Sequence, residues 1–145
     1  MEIGIVGKGV VGAAVFNGLI KIGNKVIVHD IKLDTDISDL ANVEIIFICV
    51  PTPSNDDGSC NIKIVEGVVE EILSMQYKGI VAIKSTIEPG TTQLLISKFP
   101  DLELCFVPEF LRERCAEVDF VDNHDLCIIG SFSASFSIQE HRFFD

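Results

Sequence analysis

Three glycines at a fixed spacing constrain the fold of this chain more than any other feature. Gly7, Gly9 and Gly12 match the pattern G-x-G-x-x-G and directly follow an apolar run at residues 2–6. Residues 10–22, which include Gly12, carry apolar side chains at helical spacing and are followed by another glycine. A strand that turns through such glycines into a helix is typical of a βαβ unit with a phosphate-binding turn. The pattern therefore predicts an α/β protein.

Short apolar runs alternate with helix-like stretches along the rest of the chain. This alternation predicts an α/β fold with a mostly parallel, doubly wound sheet of the Rossmann type. About six strands are expected within a domain at residues 1–130, and residues 131–145 are expected to be a tail or the start of a connection to a further domain. The predicted strands are residues 2–6, 25–29, 44–50, 79–84, 103–107 and 126–130, and the predicted helices are residues 10–22, 61–76 and 91–99.

The link between the second and third predicted strands is unusually short. About 14 residues separate Asp30 from Ile45, which is too few for the helix and strand of a full Rossmann half. Residues 33–36 are expected to form at most a stub of a strand, and residues 38–42 a single helical turn. The third strand is therefore expected to lie directly beside the first, with the topological switch point between them.

The glycine turn predicts that the chain binds the pyrophosphate of a dinucleotide. Gly7 permits a tight turn, Gly9 leaves room for the phosphates against the backbone, and Gly12 lets the helix pack close to the sheet. Free N–H groups at the start of the helix then face the phosphates. The predicted cofactor-binding residues of this turn are Gly7, Lys8, Gly9, Val10, Val11 and Gly12.

An acidic residue ends the second predicted strand and indicates which dinucleotide is bound. Asp30 lies 18 residues after Gly12, where a carboxylate accepts hydrogen bonds from the ribose hydroxyls of NAD. The same carboxylate would repel the additional phosphate of NADP. Lys32 is near, but no well-placed arginine accompanies it, so NAD is the predicted cofactor. The alternative is an aspartate that only terminates a strand.

The charge and hydropathy of the chain exclude several classes of partner. A net charge of −11 argues against nucleic acid, because a phosphate backbone binds to a basic surface. No apolar run approaches the roughly 20 residues that span a bilayer. The first residues lack the basic and apolar regions of a signal peptide. We therefore expect a cytoplasmic protein that binds neither nucleic acid nor membranes.

The five cysteines form no recognisable metal site. Their number is odd, no pair has C-x-x-C spacing, and no histidine completes a zinc set. No metal is therefore predicted, and reduced thiols, most of them buried, are the favoured interpretation. The cysteines are Cys49, Cys60, Cys105, Cys115 and Cys127.

Three longer motifs each begin at the end of a predicted strand and continue into the loop after it. They are CVPTP at residues 49–53, KSTIEPGTT at residues 84–92 and VPEFLRE at residues 107–113. In this order, after the glycine turn, they resemble the UDP-glucose/GDP-mannose dehydrogenase family over roughly residues 1–130. The resemblance implies an NAD-dependent oxidoreductase that converts the C6 alcohol of a UDP-sugar to a carboxylate with two NAD, through a cysteine-bound intermediate. Ligands of doubly wound sheets bind at the carboxyl ends of the strands, so the three loops are expected to converge.

The resemblance also implies roles for individual residues. Thr86 would hold a water or a substrate oxygen near the reacting carbon, and Glu109 would position or activate the water that hydrolyses a thioester. Further cofactor contacts would come from Val50, Pro51, Thr52, Pro53, Ser85, Thr86 and Glu113. The UDP-sugar would contact Glu109, Phe110, Leu111, Arg112 and Glu113.

Each of these residues also has a purely structural interpretation. Thr86 would then only shape the turn before a Pro-Gly pair, and Glu109 would be a solvated loop carboxylate. Glu113 would pair with a neighbouring arginine or lie in the first turn of a helix. Lys84 recurs in the family motif, and a structural role is the expectation for it.

The chain departs from the family pattern in ways that affect substrate binding. No cysteine here has the neighbours of the family's nucleophile, and Arg114 stands where a glycine usually follows Glu113. The expectation is an NAD-binding domain whose catalytic cysteine comes from a further domain, a homodimer or a partner chain. The alternative is a stand-alone NAD-binding module without turnover. A dehydrogenase of the 6-phosphogluconate or hydroxyacyl type is disfavoured by the motifs at residues 84–92 and 107–113.

Overall fold

A computed structural model describes residues 1–121 and 128–131. Their fold is a five-stranded, all-parallel sheet in the order β2-β1-β3-β4-β5 with helices on both faces. The strands are β1 (Glu2–Val6), β2 (Lys25–His29), β3 (Ile45–Ile48), β4 (Ile80–Ile83) and β5 (Glu103–Phe106). The helices are α1 (Val10–Lys21), α2 (Lys63–Ser74), α3 (Thr91–Lys98) and α4 (Ala116–Val121), with short 3-10 helices at Ile37–Leu40 and Glu113–Cys115.

Two apolar layers, one on each face of the sheet, explain the doubly wound arrangement. On one face, Val15 and Leu19 of α1 pack against side chains of β1, β3 and β4. On the other face, Val65 and Val69 of α2 and Leu95 of α3 are fully buried against the opposite side chains of the same strands. The central strands β3 and β4 are therefore buried on both faces, as their uninterrupted apolar sequences predict.

The topological switch point lies where the sequence predicts it. β3 pairs with β1 on the side away from β2, with Ile3 opposite Ile45 and Val6 opposite Ile48. The segments that follow β1 and β3 run to opposite faces of the sheet. This divergence opens a crevice between the carboxyl ends of the two strands. The Gly7 turn occupies one side of this crevice.

The segment between β2 and β3 contains no strand, so the stub predicted at residues 33–36 is wrong. The chain turns back instead, because the Leu33 N–H donates to the Asp30 carbonyl at 2.8 Å and the Asp30 N–H to Thr35 Oγ1 at 3.2 Å. The predicted helical turn at residues 38–42 is a 3-10 helix at Ile37–Leu40. Asp36 caps it through the Ser38 N–H at 2.8 Å.

The described sheet has five strands rather than about six. Residues 126 and 127 of the predicted sixth strand lie outside the described residues. Gly130 forms one antiparallel bridge to Phe106, with both N–H···O distances at 2.8 Å. A single bridge does not make a strand of the parallel sheet. The predicted tail lies outside the described residues from position 132 onward.

Helix α4 was not predicted, and it packs across α1. The Asn17 side chain donates to Glu117 Oε1 at 2.5 Å, and an added Cβ at Gly18 would overlap the Phe120 ring. Gly18 therefore lets the two helices approach closely. This contact places the segment after β5 against the same face as α1.

Candidate functional site

The glycine turn between β1 and α1 has the tight geometry that its sequence predicts. Gly7 has φ +91°, a left-handed conformation that favours glycine. Its N–H donates to the His29 carbonyl at 2.9 Å, and an added Cβ would lie 2.7 Å from the Cys49 carbonyl oxygen. At Gly12 an added Cβ would overlap the Gly7 carbonyl oxygen. Both positions therefore require glycine because backbone surrounds them.

Gly9 differs from the other two glycines of the turn because it faces open space. An added Cβ at Gly9 would meet nothing within 4 Å. Gly9 is also the N-cap residue of α1 and has an extended conformation that other residues can adopt. The first N–H groups of an α-helix have no partner within the helix. The structure thus places such N–H groups beside an open position, as a phosphate site requires.

The Asp30 carboxylate lies directly against this turn. Asp30 Oδ2 accepts the Lys8 N–H at 2.6 Å, and Oδ1 accepts the Lys32 N–H at 2.8 Å. The Lys8 hydrogen bond, followed by the one from Lys32, lowers the pKa of Asp30 below its ordinary value of 3.8. The carboxylate is therefore ionised at neutral pH, and it lies beside the glycine turn.

The loops after β3 and β4 are joined by hydrogen bonds. Ser85 Oγ donates to the Val50 carbonyl at 2.8 Å, and Thr52 Oγ1 donates to the Thr86 carbonyl at 2.7 Å. Cys60 contributes to the same contact, since its Sγ lies 3.5 Å from the Thr86 carbonyl oxygen. The structure therefore brings together the predicted residues of two separate motifs. It leaves the Thr86 side chain exposed at the edge of the crevice.

Glu109, after β5, is held from three directions. Its Oε1 accepts the N–H groups of Phe110 at 2.8 Å and Leu111 at 3.1 Å. Its Oε2 lies 2.8 Å from Lys84 Nζ, and both side chains are largely buried. This last contact is an ion pair, and Oε2 has no hydrogen-bond partner among the described residues. Glu109 is thus not the solvated loop carboxylate of the structural alternative.

Arg112 and Glu113 lie further along the same loop and differ in their contacts. The Arg112 guanidinium donates to both carboxylate oxygens of Asp119, at 2.9 and 2.7 Å, and its backbone N–H donates to Oδ2 at 3.0 Å. This pairing raises the pKa of Arg112. Glu113 is exposed and makes no hydrogen bond or ion pair with another described residue. Its predicted contact with the cofactor therefore stays a prediction.

Two of the described cysteines have thiols with raised pKa values. Burial raises the pKa of the Cys49 thiol to about 12, and the negative charge of Glu109 adds to this effect while Lys84 opposes it. Desolvation and a hydrogen bond to Asp119 raise the pKa of Cys115. No disulfide bond joins any two of the described cysteines, Cys49, Cys60, Cys105 and Cys115. Thiols with raised pKa values carry little thiolate at neutral pH.

Two further properties concern the described residues as a whole. Within residues 1–121 and 128–131, no group of three or more His, Cys, Asp or Glu side chains could hold a metal ion. Nor does the described part of the chain contain a helix that is long and apolar enough to cross a membrane.

Sequence reasoning missed two contacts around the Glu109 loop. The Lys84–Glu109 ion pair joins residues 25 positions apart, and the Arg112–Asp119 pair joins the loop to α4. The only sequence signal for the first pair was a lysine at the end of a strand that is otherwise entirely apolar. Such a lysine needs a buried partner.

Comparisons with known proteins agree with this geometry. The model of the UDP-glucose/GDP-mannose dehydrogenase family, NAD binding domain, matches residues 31–140. Over 89 residues, the chain is 35% identical to UDP-glucose 6-dehydrogenase of Rickettsia typhi, covering 58% of this chain and 20% of that protein. The match to the family model begins after the glycine turn. The turn and the family match are therefore separate indications of an NAD site.

Solved structures show the same fold. A UDP-glucose dehydrogenase from the hyperthermophilic archaeon Pyrobaculum islandicum superposes with a TM-score of 0.84 at 23% identity, over 99% of this chain and 44% of that chain. GDP-mannose dehydrogenase from Pseudomonas aeruginosa gives a TM-score of 0.81 at 26% identity, over 97% and 43%. The 145 residues thus span less than half of either solved chain. This chain belongs to the UDP-glucose/GDP-mannose dehydrogenase family of oxidoreductases, and its Rossmann fold is that of the family's NAD-binding domain.

Proposed function

We propose that this chain is the cofactor-binding part of an NAD-dependent nucleotide-sugar 6-dehydrogenase that acts on a UDP-glucose-like substrate. The chain would supply the pyrophosphate turn, the ribose-binding carboxylate and one wall of the sugar site. The cysteine nucleophile would come from residues beyond these 145, in a further domain or a partner chain. The 145 residues alone would then bind NAD without oxidising the sugar.

The residues of the crevice fit NAD. When bound, NAD supplies the hydride acceptor for oxidation of the sugar C6 carbon. The N–H groups beside Gly9 would hold the pyrophosphate, and the ionised Asp30 would accept hydrogen bonds from the ribose hydroxyls. Thr86 would face the reacting carbon from the loop after β4, because Thr52 fixes its carbonyl group. Glu109 would orient the loop that contacts the sugar.

One observation carries this proposal. Gly9, at the start of α1, faces open space, and the N–H of the preceding Lys8 donates to the Asp30 carboxylate. The two neighbouring glycines are enclosed by backbone, whereas Gly9 is not. The fold of the turn gives no reason for a glycine at this position, because Gly9 has neither a positive φ nor a close neighbour. A pyrophosphate that approaches the backbone at this position gives that reason.

The Gly9→Ala variant tests the proposed phosphate site. Because the added Cβ meets no protein atom, the free energy of unfolding should change by less than about 1 kcal/mol. The Cβ would obstruct the phosphates, so NAD affinity should fall at least about tenfold, or about 1.4 kcal/mol. NMR titration of the labelled chain with NAD measures the affinity, and Gly67→Ala in α2 is the matched control, since Gly67 also has open space. An unchanged affinity in Gly9→Ala would contradict the proposal.

The Asp30→Ala variant tests the choice between the two dinucleotides. The parent chain should bind NAD more tightly than NADP, because the carboxylate accepts from the ribose hydroxyls and repels a phosphate. The variant should narrow this gap and weaken NAD binding, since it also loses the acceptor of the Lys8 N–H. Asp34→Ala removes the same charge from an exposed position of the same segment and should preserve the preference. Equal affinities of the parent for NAD and NADP would refute the role of Asp30.

A further inference from the structure

A buried ion pair beneath the carboxyl ends of β4 and β5 has no part in the proposed cofactor site. Lys84 directly follows β4, and Glu109 lies in the loop after β5. Lys84 Nζ lies 2.8 Å from Glu109 Oε2, with the side chains only 6% and 12% exposed. Isolated charges are costly to bury, so each group depends on the other.

The surroundings of Glu109 Oε2 make this dependence strong. Oε2 is buried and accepts no hydrogen bond from the described part of the chain. The buried Cys49 thiol is close enough for both charges to act on it, and the Phe120 ring centroid lies 6.0 Å from Lys84 Nζ. Neither group offers Oε2 a positive charge. Lys84 therefore provides the compensating charge that keeps this oxygen buried.

The other oxygen of Glu109 determines the course of the loop. Oε1 accepts two successive backbone N–H groups, those of Phe110 and Leu111. A carboxylate that left its position would take this acceptor away from both amides. The conformation of residues 110 and 111 therefore depends on Glu109, and the position of Glu109 depends on Lys84.

We propose that Lys84 is a positioning residue for the loop at residues 108–112, acting through the Glu109 carboxylate. The proposal rests on the proposed function only because this loop is there assigned to the wall of the sugar site. Lys84 itself would touch neither cofactor nor sugar. Its charge, rather than its aliphatic chain, is the property that the loop requires.

Amide hydrogen exchange in the full chain tests this role. Lys84→Met keeps the aliphatic chain and removes the charge, so exchange at Phe110 and Leu111 should accelerate at least about tenfold more than exchange at the amides of β1. Adding Glu109→Gln should restore protection, because a neutral amide needs no cation and still offers its oxygen to both N–H groups. Lys84→Arg should also retain protection. Lys98→Met is the matched control, since Lys98 forms exposed ion pairs with Glu66 and Glu70 of α2.

Each outcome decides the proposal. If amide exchange at residues 110 and 111 accelerates no more than exchange in β1, the variant is generally destabilised and the positioning role of Lys84 is overturned. Failure of Glu109→Gln to restore protection would also overturn it. If Lys84→Met alone does not fold, recovery of the fold in the double variant supports the proposal, and an unfolded double variant overturns it. NAD titration of the parent chain is independent of these exchange rates. A parent chain that does not bind NAD would contradict the proposed function without contradicting the role of Lys84.

Discussion

Gly12→Ala is expected to lower the free energy of unfolding by at least about 3 kcal/mol and to abolish NAD binding. The added methyl group would overlap the carbonyl oxygen of Gly7, and a backbone atom cannot move aside as a flexible side chain can. Overpacking against rigid structure typically costs about 1–3 kcal/mol, and overlap with backbone lies at or beyond the upper limit. Relief would require α1 to move away from β1, which displaces the N–H groups of the proposed phosphate site.

Gly67→Ala provides the control for this substitution. Gly67 is also a helical glycine, but an added Cβ there meets nothing within 4 Å. Alanine favours a helix interior over glycine by about 0.8–1.0 kcal/mol, so Gly67→Ala should stabilise the chain slightly. Urea denaturation of both variants measures the difference between them. A Gly12→Ala variant as stable as its parent would show that the contact between α1 and β1 is not as close as described.

Local sequence patterns predicted the sheet well because burial and strand pairing largely coincide in it. β1 and β2 begin and end at the predicted residues, 2–6 and 25–29. The third strand was predicted at residues 44–50 and is shorter, at Ile45–Ile48. Cys49 beyond it is still buried, because the loop passes beneath the glycine turn. An apolar run therefore marks the extent of burial and overestimates the length of the paired strand.

Features that depend on contacts distant in sequence could not be predicted in the same way. Helix α4 has six residues, too few for a periodic pattern, and its packing depends on Gly18 of a helix about 100 positions earlier. The Glu109 environment is similar, because Lys84 and Glu109 become neighbours only through the pairing of Ile83 with Phe106. The glycine turn was predictable because its residues are consecutive. The position of Asp30 against it followed from the parallel pairing of β1 and β2.

The coupling between Lys84 and Glu109 should appear directly in a double-mutant cycle of stability. Lys84→Met is expected to cost about 3–5 kcal/mol, because it leaves a buried carboxylate without its cation. Glu109→Gln should also destabilise the chain, since it leaves the ammonium group of Lys84 beside a neutral partner. The double variant buries neither charge, so its loss should be smaller than that of Lys84→Met alone.

Comparison with an exposed ion pair shows how much of the stability contribution of the Lys84–Glu109 pair is due to its burial. Lys98 is 44% exposed and faces Glu66 and Glu70, so Lys98→Met should cost much less stability than Lys84→Met because solvent screens the exposed pair. Urea denaturation of the parent and variants measures all of these free energies. Additive losses in Lys84→Met and Glu109→Gln would mean that the two buried groups do not interact. A large loss in Lys84→Met beside a small loss in Lys98→Met would establish that burial gives this contact its strength, since both lysines face carboxylates at similar distances.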